Sequence, residues 1–277
     1  MDRIRLIASD MDATLLDEQS QLPADFEETI HALAELGIRF APASGRPLYT
    51  LEAMFPTLQD ELVFIGDNGG AIRWKGQNLF TSEMSPEGWR ALNRLTREQG
   101  DIAVLCGLES AYVERPFAVH DAVLRHFYTK IEYVDQLEDV TAPADKFTIY
   151  LPQHNAQQAY DTVYASQRSI YSVAVAGECW VDIMNPGVHK GAALQTLGQL
   201  WGLPSESMMA FGDTYNDAEM LQTVRYGFLM ENGSEPLRQK VPFLAPSHRE
   251  AGVMQILQKV LAQNGFVCPA DFTPAHE

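Results

Sequence analysis

The sequence of 277 residues predicts an α/β fold in which a parallel sheet is interrupted by an α+β insert. Apolar, strand-like runs alternate with helical segments at both ends of the chain, and the connections between them are short. This alternation is typical of a parallel sheet with right-handed crossovers. In the middle of the chain it gives way to short strand-like runs around isolated helices. We therefore predict two domains, residues 1–82 with 185–277 and residues 83–184.

The elements of the first segment follow from the spacing of its apolar residues. Residues 4–9, IRLIAS, form a short, mostly apolar run with two β-branched isoleucines, which favours a strand. Residues 24–37 have apolar positions at helical spacing and end at Gly37, a residue typical of a helix C-terminus. The same criteria predict strands at 38–44 and 62–66, a helix at 46–55, and a hairpin at 71–82 that turns at Lys75-Gly76.

The insert begins with a helix whose ends are marked in the sequence. Ser85 is a good N-cap, Pro86 suits the first helical position, and Gly100 ends the pattern. Short strand-like runs follow around two helical stretches near 117–130 and 154–168. The first pattern then returns with a helix at 189–202, strands at 208–212 and 226–230, and helices at 217–224 and 249–265. We expect roughly the last ten residues to be a loose tail.

The chain carries a strong excess of negative charge. Asp and Glu total 37 against 20 Lys and Arg, which gives −17 with histidines neutral. Such a field repels phosphate backbones and anionic lipid, so nucleic acid and membranes are poor partners. An anionic substrate therefore requires local positive charge, or a bound cation, at its binding site.

The cysteines and the N-terminal residues indicate the cellular compartment of the protein. Cys106, Cys179 and Cys268 are scattered and odd in number, which indicates reduced thiols in a reducing compartment. The opening residues turn polar too soon for a signal peptide, and no apolar run approaches the length of a membrane span. We expect a cytoplasmic protein, and these features leave its oligomeric state open.

Polar side chains follow three predicted strands, at the point where each strand ends. In an open parallel sheet, ligands bind beyond the carboxyl ends of the strands. A lysine also opens the helix that leads into the last of these strands. The residues concerned are Asp10 and Asp12 after the first strand, Ser44, Gly45 and Arg46 after the second, Asp213, Asn216 and Asp217 after 208–212, and Lys190 on the helix.

Each of these residues also has an ordinary structural interpretation. Asp12 could cap a turn, Ser44 could cap the next helix, and Asn216 with Asp217 could cap and charge a helix N-terminus. Lys190 is harder to explain, because a cation in the first turn of a helix opposes the macrodipole. The clusters taken together favour a single site over several independent caps.

Two aspartates two positions apart in extended backbone point to the same side, and their carboxylates repel each other unless a cation lies near them. Mg²⁺ prefers oxygen ligands and would let Asp10 and Asp213 remain ionised side by side. Asp10 could then attack phosphorus as a carboxylate nucleophile and form an aspartyl-phosphate. Asp12 is placed to protonate the leaving oxygen and later to activate water.

The transferred phosphoryl group needs donors for its equatorial oxygens. The Ser44 hydroxyl, the Gly45 amide and the Lys190 ammonium would supply them, and we expect Arg46 to bind the substrate as well. The metal and the lysine together would provide the local positive charge that an otherwise acidic chain lacks. The residues therefore indicate phosphoryl transfer to a carboxylate.

With these residues identified, the sequence resembles the haloacid dehalogenase superfamily, most closely its Cof-type, sugar-phosphatase-like branch. DMDATLLD resembles the first motif, PASGRP the second, HKGAAL the third and GDTYND the fourth, in that order and with the insert between the second and third. GDNGGAI, residues 66–72, resembles the ENGA segment of this branch. The resemblance spans nearly the whole chain, and it implies a Rossmann-like doubly wound core with a C2-type α+β cap that closes over the substrate.

The resemblance also implies roles for individual residues. Asp10 becomes nucleophile and metal ligand, Asp213 a metal ligand, and Asp12 a general acid/base that ligates the metal through its main-chain carbonyl. The remaining roles concern phosphate binding and its support. They place Ser44 and Lys190 on phosphate, Asn216 near it, and Asp217 as the group that orients Lys190 or a metal-bound water.

The expected function is that of a Mg²⁺-dependent phosphatase acting on a small phosphorylated metabolite, either a sugar phosphate or a phosphorylated cofactor. The family usually has glycine where this chain has Ala13, and a positive φ there would strain alanine by about 1 kcal/mol. Ala13 therefore keeps open a non-catalytic protein that binds a phosphorylated metabolite. A phosphotransferase is also open, whereas dehalogenation is disfavoured because it needs no metal.

Overall fold

The computed structural model describes residues 1–276. The first segment alternates strands and helices as predicted. The helix over residues 24–37 ends as expected, because Gly37 adopts φ +72° just beyond it. The elements are β1 (Asp2–Arg3), β2 (Leu6–Ser9), α1 (Phe26–Glu35), β3 (Arg39–Pro42), α2 (Leu48–Ala53), β4 (Val63–Gly66), β5 (Ala71–Trp74) and β6 (Gln77–Thr81).

The insert opens with the helix that its capping residues predict. The Ser85 side chain accepts a hydrogen bond from the Gly88 amide, and Gly100 ends the helix in the left-handed conformation. The two later helical stretches are shorter than predicted, since 3₁₀ turns at Arg115–His120 and Ala165–Ser169 take up part of each. The elements are α3 (Pro86–Gln99), β7 (Ile102–Gly107), β8 (Ala111–Glu114), α4 (Asp121–Phe127), β9 (Ile131–Val134), β10 (Ala144–Tyr150), α5 (Ala156–Asp161), β11 (Ser172–Val175) and β12 (Trp180–Met184).

The last segment resumes the alternation, and the expectation of a loose tail is wrong. Phe272 and Ala275 are buried, and the chain pairs with the sheet again close to its end, so apolar contacts hold it. The elements are α6 (Lys190–Trp201), β13 (Met208–Gly212), α7 (Ala218–Thr223), β14 (Tyr226–Met230), α8 (Glu235–Arg238), β15 (Phe243–Ala245), α9 (Gly252–Ala262), β16 (Phe266–Val267) and β17 (Thr273–Pro274).

The central sheet has the strand order β17-β15-β14-β13-β2-β3 and is parallel except for β17. The predicted strand at 62–66 is only loosely part of it. A single parallel bridge, Ala43 to Ile65, joins β4 to the sheet, and β4 otherwise pairs antiparallel in a β4-β5-β6 sheet. The predicted hairpin forms β5 and β6, with Lys75 and Gly76 at positive φ in its turn.

Helices cover both faces of the parallel sheet. Ile7 packs in an apolar cluster with side chains of α1 and α9, whereas Leu6 and Ala8 pack with side chains of α6 and α7. Because successive strand residues point to opposite faces, this division confirms a doubly wound core.

The strands of the insert form a sheet of their own, in the order β11-β12-β10-β7-β8-β9. The two connections between the insert and the central sheet lie side by side, because Asn185 Nδ2 donates to the carbonyls of Ser82 and Glu83. No helix within residues 1–276 combines the length and the apolar character needed to cross a membrane.

Candidate active site

Three neighbouring strands bring the predicted polar clusters to one edge of the sheet. β2 lies between β3 and β13, and all three are parallel, so their carboxyl ends are adjacent. Asp10 follows β2, Ser44 follows β3, and Asp213 follows β13. The sheet topology therefore brings Asp213 next to residues that lie far earlier in the chain, as crossover connections allow.

Lys190 is fully buried and lies against two of these carboxylates. Its Nζ is 2.5 Å from Asp10 Oδ1 and 2.7 Å from Asp217 Oδ1. The helix α6 begins at this residue, and the His189 ring caps it by accepting from the Ala192 amide. The lysine that opposes the helix dipole is thus explained by two buried anions next to it.

Asp217 is held on both carboxylate oxygens. Oδ1 faces Lys190, while Oδ2 accepts hydrogen bonds from the amides of Asp213 at 3.0 Å and Thr214 at 3.2 Å. Asp213 is less constrained, with one long hydrogen bond of 3.4 Å from the Thr14 hydroxyl to its Oδ1. Asp10, Asp213 and Asp217 each offer an oxygen, and these oxygens lie within 4.8 Å of one another.

Three buried carboxylates and one ammonium leave this cluster with excess negative charge. Burial, with repulsion from Asp217, raises the pKa of Asp10 to about 8 despite the attraction of Lys190. The same two causes raise the pKa of Asp213 to about 6. Burial disfavours the charged lysine, but Asp10 and Asp217 outweigh it and the pKa of Lys190 is raised. The cluster therefore needs either protons or an added cation at neutral pH.

Asp12 lies at the outer side of the site, with its side chain 58% exposed. The guanidinium of Arg46, which is largely buried, pairs with both of its carboxylate oxygens. Ala13, the next residue, adopts φ 59° and ψ 12°, which is the left-handed conformation that a glycine would adopt without strain. Ala13 therefore has the positive φ that was expected to strain an alanine at this position.

Ser44, Gly45 and Arg46 form a tight turn after β3. The Arg46 amide donates to Ser44 Oγ at 3.1 Å, and the Ser44 carbonyl accepts from the Asn68 amide at 2.9 Å. A Cβ at Gly45 would lie 3.2 Å from Asn68 Oδ1, so the close approach of Asn68 favours glycine there. The GDNGGAI segment therefore packs directly behind the proposed phosphate-binding turn.

Asn216 stands apart from the rest of the site. It is exposed, and its Oδ1 accepts from the Thr214 hydroxyl at 2.6 Å. Within residues 1–276, no hydrogen bond joins its side chain to Asp10, Ser44 or Lys190. Its predicted position near phosphate stays a prediction.

The insert brings to this site a buried charged group that belongs to none of the sequence motifs. Lys146 on β10 is 2% exposed, and its Nζ donates to the Gly45 carbonyl at 2.5 Å. The same Nζ lies 3.0 Å from Asp67 and 3.4 Å from Asp182, while Asp145 is buried beside it. A signal was present, since ADKFTIY places two adjacent charges in an otherwise uncharged strand.

The chain is similar to known proteins over most of its length. Residues 7–257 match the haloacid dehalogenase-like hydrolase family. The 5-amino-6-(5-phospho-D-ribitylamino)uracil phosphatase of Escherichia coli K12 is 31% identical over 262 residues, which cover 93% of this chain and 96% of the relative. The HMP-PP phosphatase of Cronobacter sakazakii is 31% identical over 249 residues, 87% of this chain and 89% of that protein.

A solved structure extends the similarity to the fold. The crystal structure of a Streptococcus mutans UA159 protein superposes with a TM-score of 0.85 at 28% identity, over 94% of this chain and 99% of the other. The similarity thus includes the insert as well as the central sheet.

Proposed function

Because the chain belongs to the haloacid dehalogenase-like hydrolase family, we propose that it is a Mg²⁺-dependent phosphatase of small phosphorylated metabolites. The observation that carries the proposal is the Asp10 carboxylate, which lies at the end of β2 against buried Lys190 and beside Asp213. We propose residues 83–184 as the cap over this site and residues 1–82 with 185–277 as the core. The three free cysteines support the cytoplasm as its proposed location.

The donor set fits Mg²⁺. Asp10 and Asp213 offer carboxylate oxygens in a cluster whose charge calls for a cation, and hard divalent ions prefer such oxygens. Both oxygens of Asp217 already accept hydrogen bonds, so we assign it to support of Lys190 and of the turn after β13. We also propose the main-chain carbonyl of Asp12 as a ligand. When bound, the ion would neutralise the carboxylates and the substrate phosphate.

In the first proposed step, an oxygen of Asp10 attacks phosphorus and the ester oxygen–phosphorus bond breaks. Asp10 then carries the phosphoryl group as an aspartyl-phosphate. Lys190, the Ser44 hydroxyl and the Gly45 amide would stabilise the equatorial oxygens as charge spreads over them. Lys190 is rigid in this role, because contacts with Asp10 and Asp217 fix its ammonium.

Asp12 would act as the general acid in the first step and as the general base in the second. It donates a proton to the leaving ester oxygen, and later accepts one from the water that cleaves the aspartyl-phosphate. Arg46 holds the Asp12 carboxylate from both oxygens, so we propose that Arg46 acts by positioning Asp12. The exposure of Asp12 leaves it accessible to a leaving group beneath the cap.

The substrate class remains the one that the sequence suggested, a sugar phosphate or a phosphorylated cofactor. Two relatives are named for phosphatase activity on a phosphoribitylamino-uracil and on HMP-PP. We therefore propose to begin a substrate screen with those two compounds and a panel of sugar phosphates.

The proposal is tested by measuring phosphate release from a chromogenic ester with Mg²⁺ and with EDTA. We expect EDTA-sensitive release by the wild type and none by Asp10→Asn, a variant of nearly equal size. Intact-mass spectrometry after acid quenching should show a phosphoryl adduct in the wild type or in Asp12→Asn. Asp135→Asn, at an exposed aspartate of the insert, is the control and should turn over normally.

Two outcomes contradict the proposal. Substantial turnover by Asp10→Asn removes the nucleophile from the mechanism. Binding of phosphate by the wild type without turnover of any ester in the panel indicates instead a protein that binds a phosphorylated metabolite.

A further inference from the structure

A buried cation on the insert reaches the backbone of the proposed phosphate-binding turn. Lys146 lies on β10, in the centre of the insert's sheet, and its Nζ donates to the Gly45 carbonyl at 2.5 Å. Gly45 belongs to the turn after β3, on the other side of the interface between the two sheets. The contact therefore exists only while the insert is seated on the core.

The Gly45 carbonyl belongs to the same peptide group as the Arg46 amide. That amide donates to Ser44 Oγ at 3.1 Å. A continuous chain of hydrogen bonds thus runs from the Lys146 ammonium through one peptide to the Ser44 hydroxyl oxygen. Hydrogen bonds in such a chain polarise one another. With a lone pair of Oγ occupied, the hydroxyl hydrogen of Ser44 is free to point toward a phosphate.

The surroundings of Lys146 hold its ammonium in this position. Asp67 of the core lies 3.0 Å from Nζ, and Asp182 of the insert lies 3.4 Å from it. Asp182 is itself fixed by the Thr148 hydroxyl at 2.7 Å and by Asn68 Nδ2 at 3.1 Å. All of these side chains are buried. Without such partners, the flexible lysine side chain would not hold its ammonium group against a single backbone carbonyl.

We propose that Lys146 is a positioning residue for the phosphate site, acting through the Gly45–Arg46 peptide on the Ser44 hydroxyl and only when the cap is seated. The inference rests on the proposed function, since it assigns Ser44 to phosphate. This chain of hydrogen bonds would couple closure of the cap to the affinity of the site for phosphate. It also predicts an effect on the phosphoryl group that does not depend on the leaving group.

The test measures binding of inorganic phosphate, with Mg²⁺ present, by titration calorimetry in a double-mutant cycle. We expect Lys146→Met to weaken phosphate binding roughly ten-fold, the effect of losing one hydrogen bond to a charged group. In a Ser44→Ala background the same substitution should have little further effect. The kcat/KM values for phenyl phosphate and for a sugar phosphate should fall by the same factor.

One further variant guards against a loss of folding, and another is the matched control for phosphate binding. Lys146→Met/Asp67→Asn removes one charge of each sign and should fold if the single variant does not. Lys130→Met changes another lysine of the insert, whose ammonium lies over the Tyr49 ring and has no hydrogen bond to Gly45, and this variant should bind phosphate normally.

Three results overturn the inference: unchanged phosphate affinity, an equal loss with Ser44 present and in the Ser44→Ala background, or a change confined to one of the two esters. The first two assign Lys146 to the interface alone, and the third assigns it to the leaving group. If the wild type hydrolyses no ester of the substrate panel, the proposed function fails, while the calorimetric cycle still decides the role of Lys146.

Discussion

The guanidinium of Arg46 pairs with both oxygens of the Asp12 carboxylate, with Nη1 3.0 Å from Oδ2 and Nη2 3.0 Å from Oδ1. This planar, two-point contact fixes the direction of a carboxyl group that is otherwise more than half exposed. A lysine could supply the charge but not the second contact. The pair therefore defines where the proposed general acid sits.

We predict that Arg46→Lys lowers kcat for ester hydrolysis roughly ten-fold, a part of what general acid–base catalysis contributes. Arg46→Met should cost more, because it removes the charge as well as the two contacts. Steady-state kinetics with Mg²⁺ measure both. Arg115→Met, at an exposed arginine paired with Asp135, is the matched control. An unchanged kcat in Arg46→Met would show that Asp12 needs no such support.

Ala13 stores backbone strain next to Asp12. We predict that Ala13→Gly raises the free energy of unfolding by up to about 1 kcal/mol, because glycine adopts φ 59° without a Cβ clash. Urea denaturation measures the difference. Ala34→Gly, on the exposed side of α1, should lower the free energy of unfolding by about the same amount. A loss of stability in Ala13→Gly would contradict the strain argument.

Mg²⁺ should stabilise the folded protein, because it binds a carboxylate cluster that exists only in the folded state. At one hundred times its dissociation constant, a ligand adds about 2.7 kcal/mol. We predict a clear rise in Tm of the wild type with Mg²⁺ and a much smaller rise for Asp213→Asn, measured by calorimetry. Asp135→Asn should respond like the wild type. An equal rise in Asp213→Asn would exclude Asp213 as a ligand.

Asp145 predicts a specific dependence of stability on pH. Its two carboxylate oxygens are buried and have no hydrogen-bond donor among residues 1–276. The titratable groups that interact with its charge include Asp67, Lys146 and Tyr49. Burial, with repulsion from Asp67, raises the pKa of Asp145 well above its usual 3.8 and outweighs the attraction of Lys146. The folded state therefore retains a proton that the unfolded chain releases.

The direction in which stability changes with pH follows from the number of protons that each state binds. Above the unfolded pKa the folded protein binds more protons, so stability falls as the pH rises toward the folded pKa. We predict that Asp145→Asn, which cannot ionise, becomes more stable than the wild type by up to about 1.4 kcal/mol per pH unit in that interval. Urea denaturation at several pH values measures this. A difference that does not vary with pH would mean that Asp145 ionises freely in the folded protein.

Much of the fold was predictable because it depends on local patterns. The caps Ser85 and Gly100, the turn at Lys75-Gly76 and the apolar periodicity of α1 are all set by residues within a few positions of each other. The chain ends were not predictable in this way. Phe272 and Ala275 are held by distant partners, and no local signal distinguishes such a segment from a free tail.

The sequence by itself determined which residues stand at the ends of the core strands, since order along the chain and alternation of strand and helix place Asp10, Ser44 and Asp213 there. Only the tertiary structure decided what surrounds them. The burial of Lys190 against two carboxylates, the pairing of Arg46 with Asp12 and the reach of Lys146 to Gly45 each join residues far apart in the chain. Charge–charge and hydrogen-bond energies depend on distance and on exclusion of water, and both are set by packing.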